Sequence, residues 1–364
     1  MNNILLKKID IYIIKKFLGT YFGAITLIIL IAVVFDFSEK IDDFLEKSAP
    51  VSAVVFDYYM NFIPYFAVLF APLFTFIAVI FFTSRMAYNT EIIAILSSGV
   101  SFPRLLKPYF ISATIIMCFN LLMGNYVIPK ANQKRFAFEE MYYYNAPKSY
   151  KDRNVHKQIE PGIYIYLESY NTHSNYGREF SIEKFVDGKL VSKLLSREIR
   201  WDSTINKWRI RNYYIRDYID GKQVISSGTM LDTAINLDPK EFKMRDNVME
   251  AMTLGELNDF IDMQKMQGSA RVNALLIEKF RRFSFPFSTY ILTIIGVSVS
   301  SRKVKGGIGM HIGIGLLVSF AYILFLQFSS QYAISGAMPA IVAVWLPNFI
   351  FIFVAYYLYR MAPK

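Results

Sequence analysis

Apolar residues in this chain come in long uncharged runs, parted by short charged segments and one broad polar stretch. Uncharged runs extend from Phe17 to Phe35, Tyr58 to Ser84, Tyr109 to Pro129 and Phe283 to Ser301. A bilayer-crossing helix takes about 20 apolar residues, so each run qualifies. A last uncharged tract, Gly306 to Tyr359, is too long for one helix. It breaks at "SSQYAISGAMP" (Ser329 to Pro339), where Ser, Gly and Pro punctuate the pattern. The runs predict six spans, three on each side of a polar middle. The first is read as a retained span. It is too long for the apolar core of a signal peptide, and Asp36, Glu39 and Lys40 follow it rather than a small-residue cleavage site.

The polar middle changes period. "GIYIYLES" alternates in twos, as a half-buried strand does. "FSIEKFVDGKLVSKLL" reads as two strands around an Asp187-Gly188 hairpin turn, and the segment around Asp220-Gly221 repeats the device. Trp201 and Trp208 fall near strand ends. No helices alternate with these strands, so a parallel α/β domain is excluded and an all-β domain expected. "TLGELNDFIDMQKMQG" then reads as a helix opened by a Thr253/Glu256 capping box. The fold class that follows is an α-helical membrane protein with six transmembrane helices and an extracytoplasmic all-β, jelly-roll-like domain between helices 3 and 4. Expected boundaries are 1–130 for helices 1–3, with a short cytoplasmic helix near 88–99. The β domain takes 131–252, a helix and linker 253–282, and helices 4–6 take 283–364.

Charge sets the orientation. The chain carries a net +11, which on a soluble protein would suggest nucleic acid. Beside membrane spans, excess Lys and Arg marks cytoplasmic loops. Lys7, Lys8, Lys15 and Lys16 precede span one; Arg85, Arg104 and Lys107 lie between spans two and three; Arg302, Lys303 and Lys305 lie between spans four and five. The loop after span one is acidic, with Asp36, Glu39, Asp42, Asp43 and Glu46. Both termini are therefore expected in the cytoplasm and the β domain outside it. Lys130, Lys134, Arg135, Lys279, Arg281 and Arg282 run against that assignment, but they flank a large translocated domain, where the rule weakens.

Candidate chemistry is sparse. The single cysteine, Cys118, sits inside a span, and His156, His173 and His311 are far apart, so neither a metal site nor a cofactor is expected. The β segment holds no G-x-S-x-G or H-E-x-x-H motif. No nucleotide-binding loop occurs either, and "GGIGMHIGIG" reads as close helix packing through Gly309 and Gly313. The spans are nearly free of titratable groups; Asn61 and Asn120 are polar but do not titrate. A gradient-driven carrier ordinarily needs such groups, so any transport must draw its energy from a partner. One stretch suggests where. "EIIAILSSGVS" (residues 91–101) lies between two spans, carries an acidic residue and an apolar side, and stops at Gly99. It reads either as a helix lying on the inner leaflet or as a coupling helix docked on a cytoplasmic ATPase.

With these elements in order, the chain resembles the lipopolysaccharide-export permeases of the LptF/LptG type (YjgP/YjgQ family) over nearly its whole length. The resemblance rests on "EIIAILSSGVS", on "NYVIPKANQK" at the exit of span three, and on "RFSFPFSTYILTIIGVSVSSRKVKGGIGMHIGIG" and "GAMPAIVAVWLPNFIF" in spans four to six. It implies a transport subunit without catalysis of its own. Such a subunit pairs with a sister permease, binds two copies of a cytoplasmic ATPase, and extracts lipopolysaccharide from the outer leaflet of the bacterial inner membrane. Its outer domain hands the lipid to a bridge of periplasmic jelly rolls. Glu91, Ile92, Ile95, Leu96 and Gly99 would form the ATPase-coupling segment. Family members meet lipid phosphates with basic residues near the outer end of span one. Here that region is acidic, which leaves Lys40, and Arg281 and Arg282 as substitutes. Length and compact ending favour the LptG type. The competing reading is a membrane-anchored β domain acting as a sensor or scaffold.

Overall fold

The computed structural model describes residues 6–143, 151–172, 174–219, 221–239, 242, 247–269, 271–302 and 307–362. Asp220, His173, Lys303 and Lys305 lie outside the described residues. The chain divides into a helical unit (Met1–Glu139, Glu250–Leu254 and Asn273–Lys364) and a β unit (Glu140–Met249 and Gly255–Val272).

Among the described residues, seven helical segments are long and apolar enough to cross a membrane. They are α1 (Lys8–Glu46), α2 (Val51–Leu69), α3 (Ala71–Tyr88), α5 (Phe102–Tyr142), α7 (Val272–Ser300), α8 (Gly307–Ile334) and α9 (Ala340–Met361). The short α4 (Glu91–Ser97) stands between α3 and α5, and α6 (Leu254–Met266) precedes α7. The seventh segment arises because the second expected span is bent. Only Phe70 separates α2 from α3, and hydrogen bonds run through it, Phe70 N to Phe66 O and Phe74 N to Phe70 O, both 3.1 Å. One residue with such bonds cannot reverse the chain, so α2 and α3 form one bent rod and six crossings remain. Pro72 lacks the N–H that would have bonded back across the joint, which is the usual cause of such a bend.

Two helices form the centre of the bundle. In α3 and α7 the apolar windows are 72% and 67% buried, against 17% in α1 and 28% in α8. Small residues make the close approach possible. A Cβ on Gly296 of α7 would meet Val79 Cγ1 of α3 at 2.8 Å, and one on Gly315 of α8 would collide with Ile80 of α3. Beside Gly309 and Gly313, by contrast, the chain leaves open space. An aromatic stack ties α1 to α3 and α5: Phe17 and Phe82 lie 5.5 Å apart, and Phe82 and Tyr109 5.3 Å. Ser84 of α3 hydrogen-bonds His311 Nδ1 of α8 at 2.9 Å, both side chains buried. The backbone opens into π-helical turns at Val54–Tyr59 and Met123–Val127. α5 runs on through "KANQKRFAFEEMY" to Tyr142, where the sequence reading begins the β domain at 131. That segment is polar in composition yet buries Ala131, Asn132, Arg135, Phe136, Phe138 and Glu139. α7 likewise starts at Val272, ahead of the apolar tract at Phe283.

The β unit is a six-stranded antiparallel sheet in sequential order, β1 (Lys151–Glu160), β2 (Ile163–Asn171), β3 (Tyr176–Val186), β4 (Lys189–Asp202), β5 (Lys207–Ile219) and β6 (Lys222–Thr233). This is the expected all-β domain. Asp187 and Gly188 both take positive φ, 49° and 74°, as a two-residue type I′ hairpin demands. Alternation puts Ile165, Leu167, Phe180, Leu194, Ile199 and Ile210 into one core. Trp208 closes it, fully buried, its indole N–H donating to Leu237 O at 2.9 Å.

The glycine contacts make a prediction. Gly296→Leu should destabilise the chain by about 1–3 kcal/mol, the usual cost of overpacking, because Val79 is itself buried and cannot give way. Gly309→Leu and Gly313→Leu should leave the melting temperature of the isolated chain unchanged. Thermal melts in detergent check both.

Candidate functional site

Two places in the helical unit gather polar groups. The first is the end of the bundle where α4 packs beside Ile13 of α1 and Ala362. Thr90 takes a left-handed conformation (φ 62°) and turns the chain out of α3 into α4; Gly99 (φ 86°) turns it out again. Ile92 is fully buried, and Ile95 and Leu96 pack against the same core, which includes Phe102, Leu105, Met86 and Ala362. Ile92 therefore anchors α4 to its own bundle. The outward face is Ile93, 45% exposed, with Ala94, Ser97, Ser98 and Gly99. Ile93 belongs to the same apolar stripe as Ile92, and a stripe in sequence does not say which of its members points at the bundle. Glu91 is held in place: the Tyr12 hydroxyl donates to its Oε2 at 2.9 Å.

Beneath α4, Arg104 of α5 clamps Asp10 of α1 with two parallel bonds of 2.7 Å. Asp10 is 1% exposed and also accepts the backbone N–H of Lys7 at 2.8 Å. A small cavity of about 50 Å³ between this clamp, Ile13, Ile95 and Leu105 adjoins the inner side of α4. The clamp joins residues 94 positions apart, and no local spacing signals it.

The second place is the opposite end, where α5 leaves the bundle and α7 returns. A cavity of about 300 Å³ is walled by Tyr65, Val68, Leu69, Phe285, Ile323 and Leu326, with Glu250, Glu278, Arg281 and Arg282 at its rim. Arg282 donates to Glu278 at 3.1 Å and to Met252 O at 2.8 Å; Arg281 donates to Glu278 at 2.7 Å. The two arginines thus share one carboxylate, at i−3 and i−4, the ordinary helical spacing, which "EKFRR" displays in the sequence. Among the described residues the Glu250 carboxylate accepts only a 3.4 Å bond from the Tyr65 hydroxyl, while its backbone oxygen accepts from Asn132 at 3.1 Å. Burial, reinforced by the nearby Glu278 charge, pushes its carboxyl above the usual range; Arg281 and Arg135 pull the other way. Sequence patterning does not reveal Glu250, because its neighbours come from three other helices.

Lys40, the other expected phosphate contact, lies in α1 within a network of its own. Its Nζ donates to Asp36 at 2.6 Å and bonds Tyr58, whose ring it also faces at 4.9 Å. Tyr59 donates to the same carboxylate at 3.2 Å. Each of Lys40, Arg281 and Arg282 has a carboxylate in place, so a lipid phosphate would compete with that carboxylate.

Residues 11–361 match the family described as lipopolysaccharide export system permease LptF/LptG. The chain belongs to that family. Among curated proteins none matches it. As an LptF/LptG permease it is a multi-pass inner-membrane subunit of a lipopolysaccharide transport complex, a transport component and not a catalytic enzyme. Its long apolar helices and inserted β sheet are the parts such a subunit needs.

Two outcomes follow from this geometry. Arg104→Ala should cost about 2 kcal/mol, below the value for a fully buried pair because Arg104 keeps 32% of its side chain in solvent. Adding Asp10→Asn should restore most of the loss, as a double-mutant thermal series would show. For Glu250 the raised carboxyl favours the folded state at low pH. That stability is complete below the ordinary carboxylate range and is lost as pH rises through the raised value. The melting temperature of Glu250→Gln, relative to the unmodified chain, should therefore climb with increasing pH.

Proposed function

We propose that this LptF/LptG chain is the LptG-type half of a permease pair. The pair extracts lipopolysaccharide from the outer leaflet of the inner membrane, driven by ATP hydrolysis in two copies of a separate cytoplasmic ATPase. The observation that carries this reading is the mounting of α4. Its inner face is seated in the bundle core through Ile92, while Ile93 and Ala94 stand outside, beside a Glu91 fixed by Tyr12. A push on such a ridge moves the bundle and not the ridge alone. Both termini and α4 lie in the cytoplasm on this reading, in keeping with the basic residues around them. Gly99, with its left-handed backbone, and the partly buried Ile95 and Leu96 shape the ridge; Glu91, Ile93 and Ala94 meet the ATPase.

The poorly buried α1 and α8 offer their apolar faces to the lipid cavity and the sister permease. Gly309 and Gly313, with open space beside them, belong to that face and allow close helix approach there. The β unit is periplasmic on this reading and supports transfer to a jelly-roll bridge in two ways. β6 is an edge strand with Val224, Ile225 and Met230 exposed, a template for adding a neighbouring strand. The sheet also carries a groove of about 490 Å³ lined by Tyr164, Tyr166, Leu195 and Tyr214 among polar residues.

The test is co-purification of the chain with its sister permease and ATPase. Glu91→Lys and Ile93→Asp should each reduce ATPase recovery by more than about tenfold, the loss of one interface anchor. Tyr12→Phe should weaken it less. If no ATPase associates with the unmodified pair, the export reading fails and a sensor or scaffold takes its place.

A further inference from the structure

Of the four charged groups lining the 300 Å³ cavity in the helical unit, Arg281 and Glu250 form no ion pair with each other among the described residues. Arg281 bonds Glu278 through one guanidinium nitrogen only and keeps 38% of its side chain exposed. Among the described residues its guanidinium makes no other hydrogen bond. Glu250 has no ion pair among the described residues, only the long bond from Tyr65. A third pair of groups, Glu278 and Arg282, is saturated locally, which leaves Arg281 and Glu250 as the two open positions. Below them the wall is apolar: Val68 and Leu69 of α2, Phe285 of α7, and Ile323 and Leu326 of α8. The charges at the rim sum to zero, so neither a plain anion nor a plain cation is favoured. A molecule that presents a phosphate and an ammonium a few bonds apart, over a hydrocarbon tail, satisfies every part of the site. A volume of about 300 Å³ is at the small end for ligand pockets, and holds one acyl chain and not the several of a large lipid cargo.

We propose that this cavity binds a zwitterionic membrane phospholipid with a primary ammonium, the ethanolamine class, as a resident lipid distinct from the cargo. Its phosphate accepts from Arg281, its ammonium donates to Glu250, and one acyl chain runs between α2, α7 and α8. The primary ammonium matters. It offers N–H groups that a buried carboxylate needs, and a quaternary choline offers none. The inference rests on the chain's membrane setting and not on the export mechanism, so it stands or falls apart from ATPase coupling.

The experiment is native mass spectrometry of the full chain, purified with the subunits that accompany it. Phosphatidylethanolamine, phosphatidylcholine and phosphatidylglycerol are titrated in turn. The unmodified protein should retain the ethanolamine lipid about tenfold more strongly than either competitor, the worth of one charged hydrogen bond. Glu250→Gln should erase the preference over phosphatidylglycerol. Arg281→Gln should lower retention of all three phospholipids. Leu326→Trp, which fills the tail slot, should reduce retention of all three. A melting curve for each variant separates lost binding from lost folding. Equal retention of the three lipids by the unmodified protein overturns the proposal. So does ethanolamine-lipid retention that survives both Glu250→Gln and Leu326→Trp in folded protein.

Discussion

Charge cannot rest unpaired in an apolar bundle, and this chain is organised around that constraint. The cost of stranding an ion away from water runs to several kcal/mol. Charged side chains are therefore held at the two ends of the helices and tied down there. At one end Arg104 holds Asp10. At the other, Asp36 holds Lys40 and Glu278 holds Arg281 and Arg282. These contacts do more than neutralise. The Asp10 clamp joins α1 to α5, and the Lys40 network joins α1 to α2, so the polar ends set which helices are neighbours. Between the ends, shape takes over. Gly296 and Gly315 let α7 and α8 approach α3 closely.

The same division explains where function gathers. A bundle that packs inward around α3 and α7 leaves α1 and α8 with most of their apolar surface uncovered by the chain itself. For a transport subunit that works in a complex, uncovered surface is where lipid and partner subunits have to be met. The end bearing α4 combines a rigid seat with an outward ridge. The end bearing Glu250 combines an apolar slot with a rim on which Arg281 and Glu250 form no ion pair with each other among the described residues.

The outline of this architecture was readable from the sequence. Uncharged runs located the spans, period-two alternation located the sheet, and Asp187-Gly188 located a hairpin whose torsions came out as that dipeptide dictates. Thr90 to Gly99 was legible as a short helix between spans. The orientation of that helix was not legible. Ile92 and Ile93 are equally apolar, and only tertiary contact puts one inside and one outside. Composition also misled for residues 131–142, which read as the start of the β domain yet continue α5, because polar side chains such as Asn132 and Arg135 are buried against their own unit. Arg281 and Arg282 were visible as basic residues, but their partner Glu278 was overlooked although the helical spacing announces it. Glu250 could not have been found by spacing at all, since its surroundings are assembled from distant parts of the chain.

The joint at Phe70 makes the second crossing a lever. α3 has 18 residues, so at the standard rise its arm is about 27 Å long. One end of the arm carries α4, seated through Ile92. The other end pivots at Phe70, which lines the wall of the Glu250 cavity. Because hydrogen bonds pass through the pivot, a tilt of the arm bends α2 rather than detaching it. Displacing α4 by about 5 Å turns an arm of that length through roughly ten degrees. On the proposed reading, a push on α4 would reach the slot beside Phe70 along α3, without a single charge having to cross between the two ends.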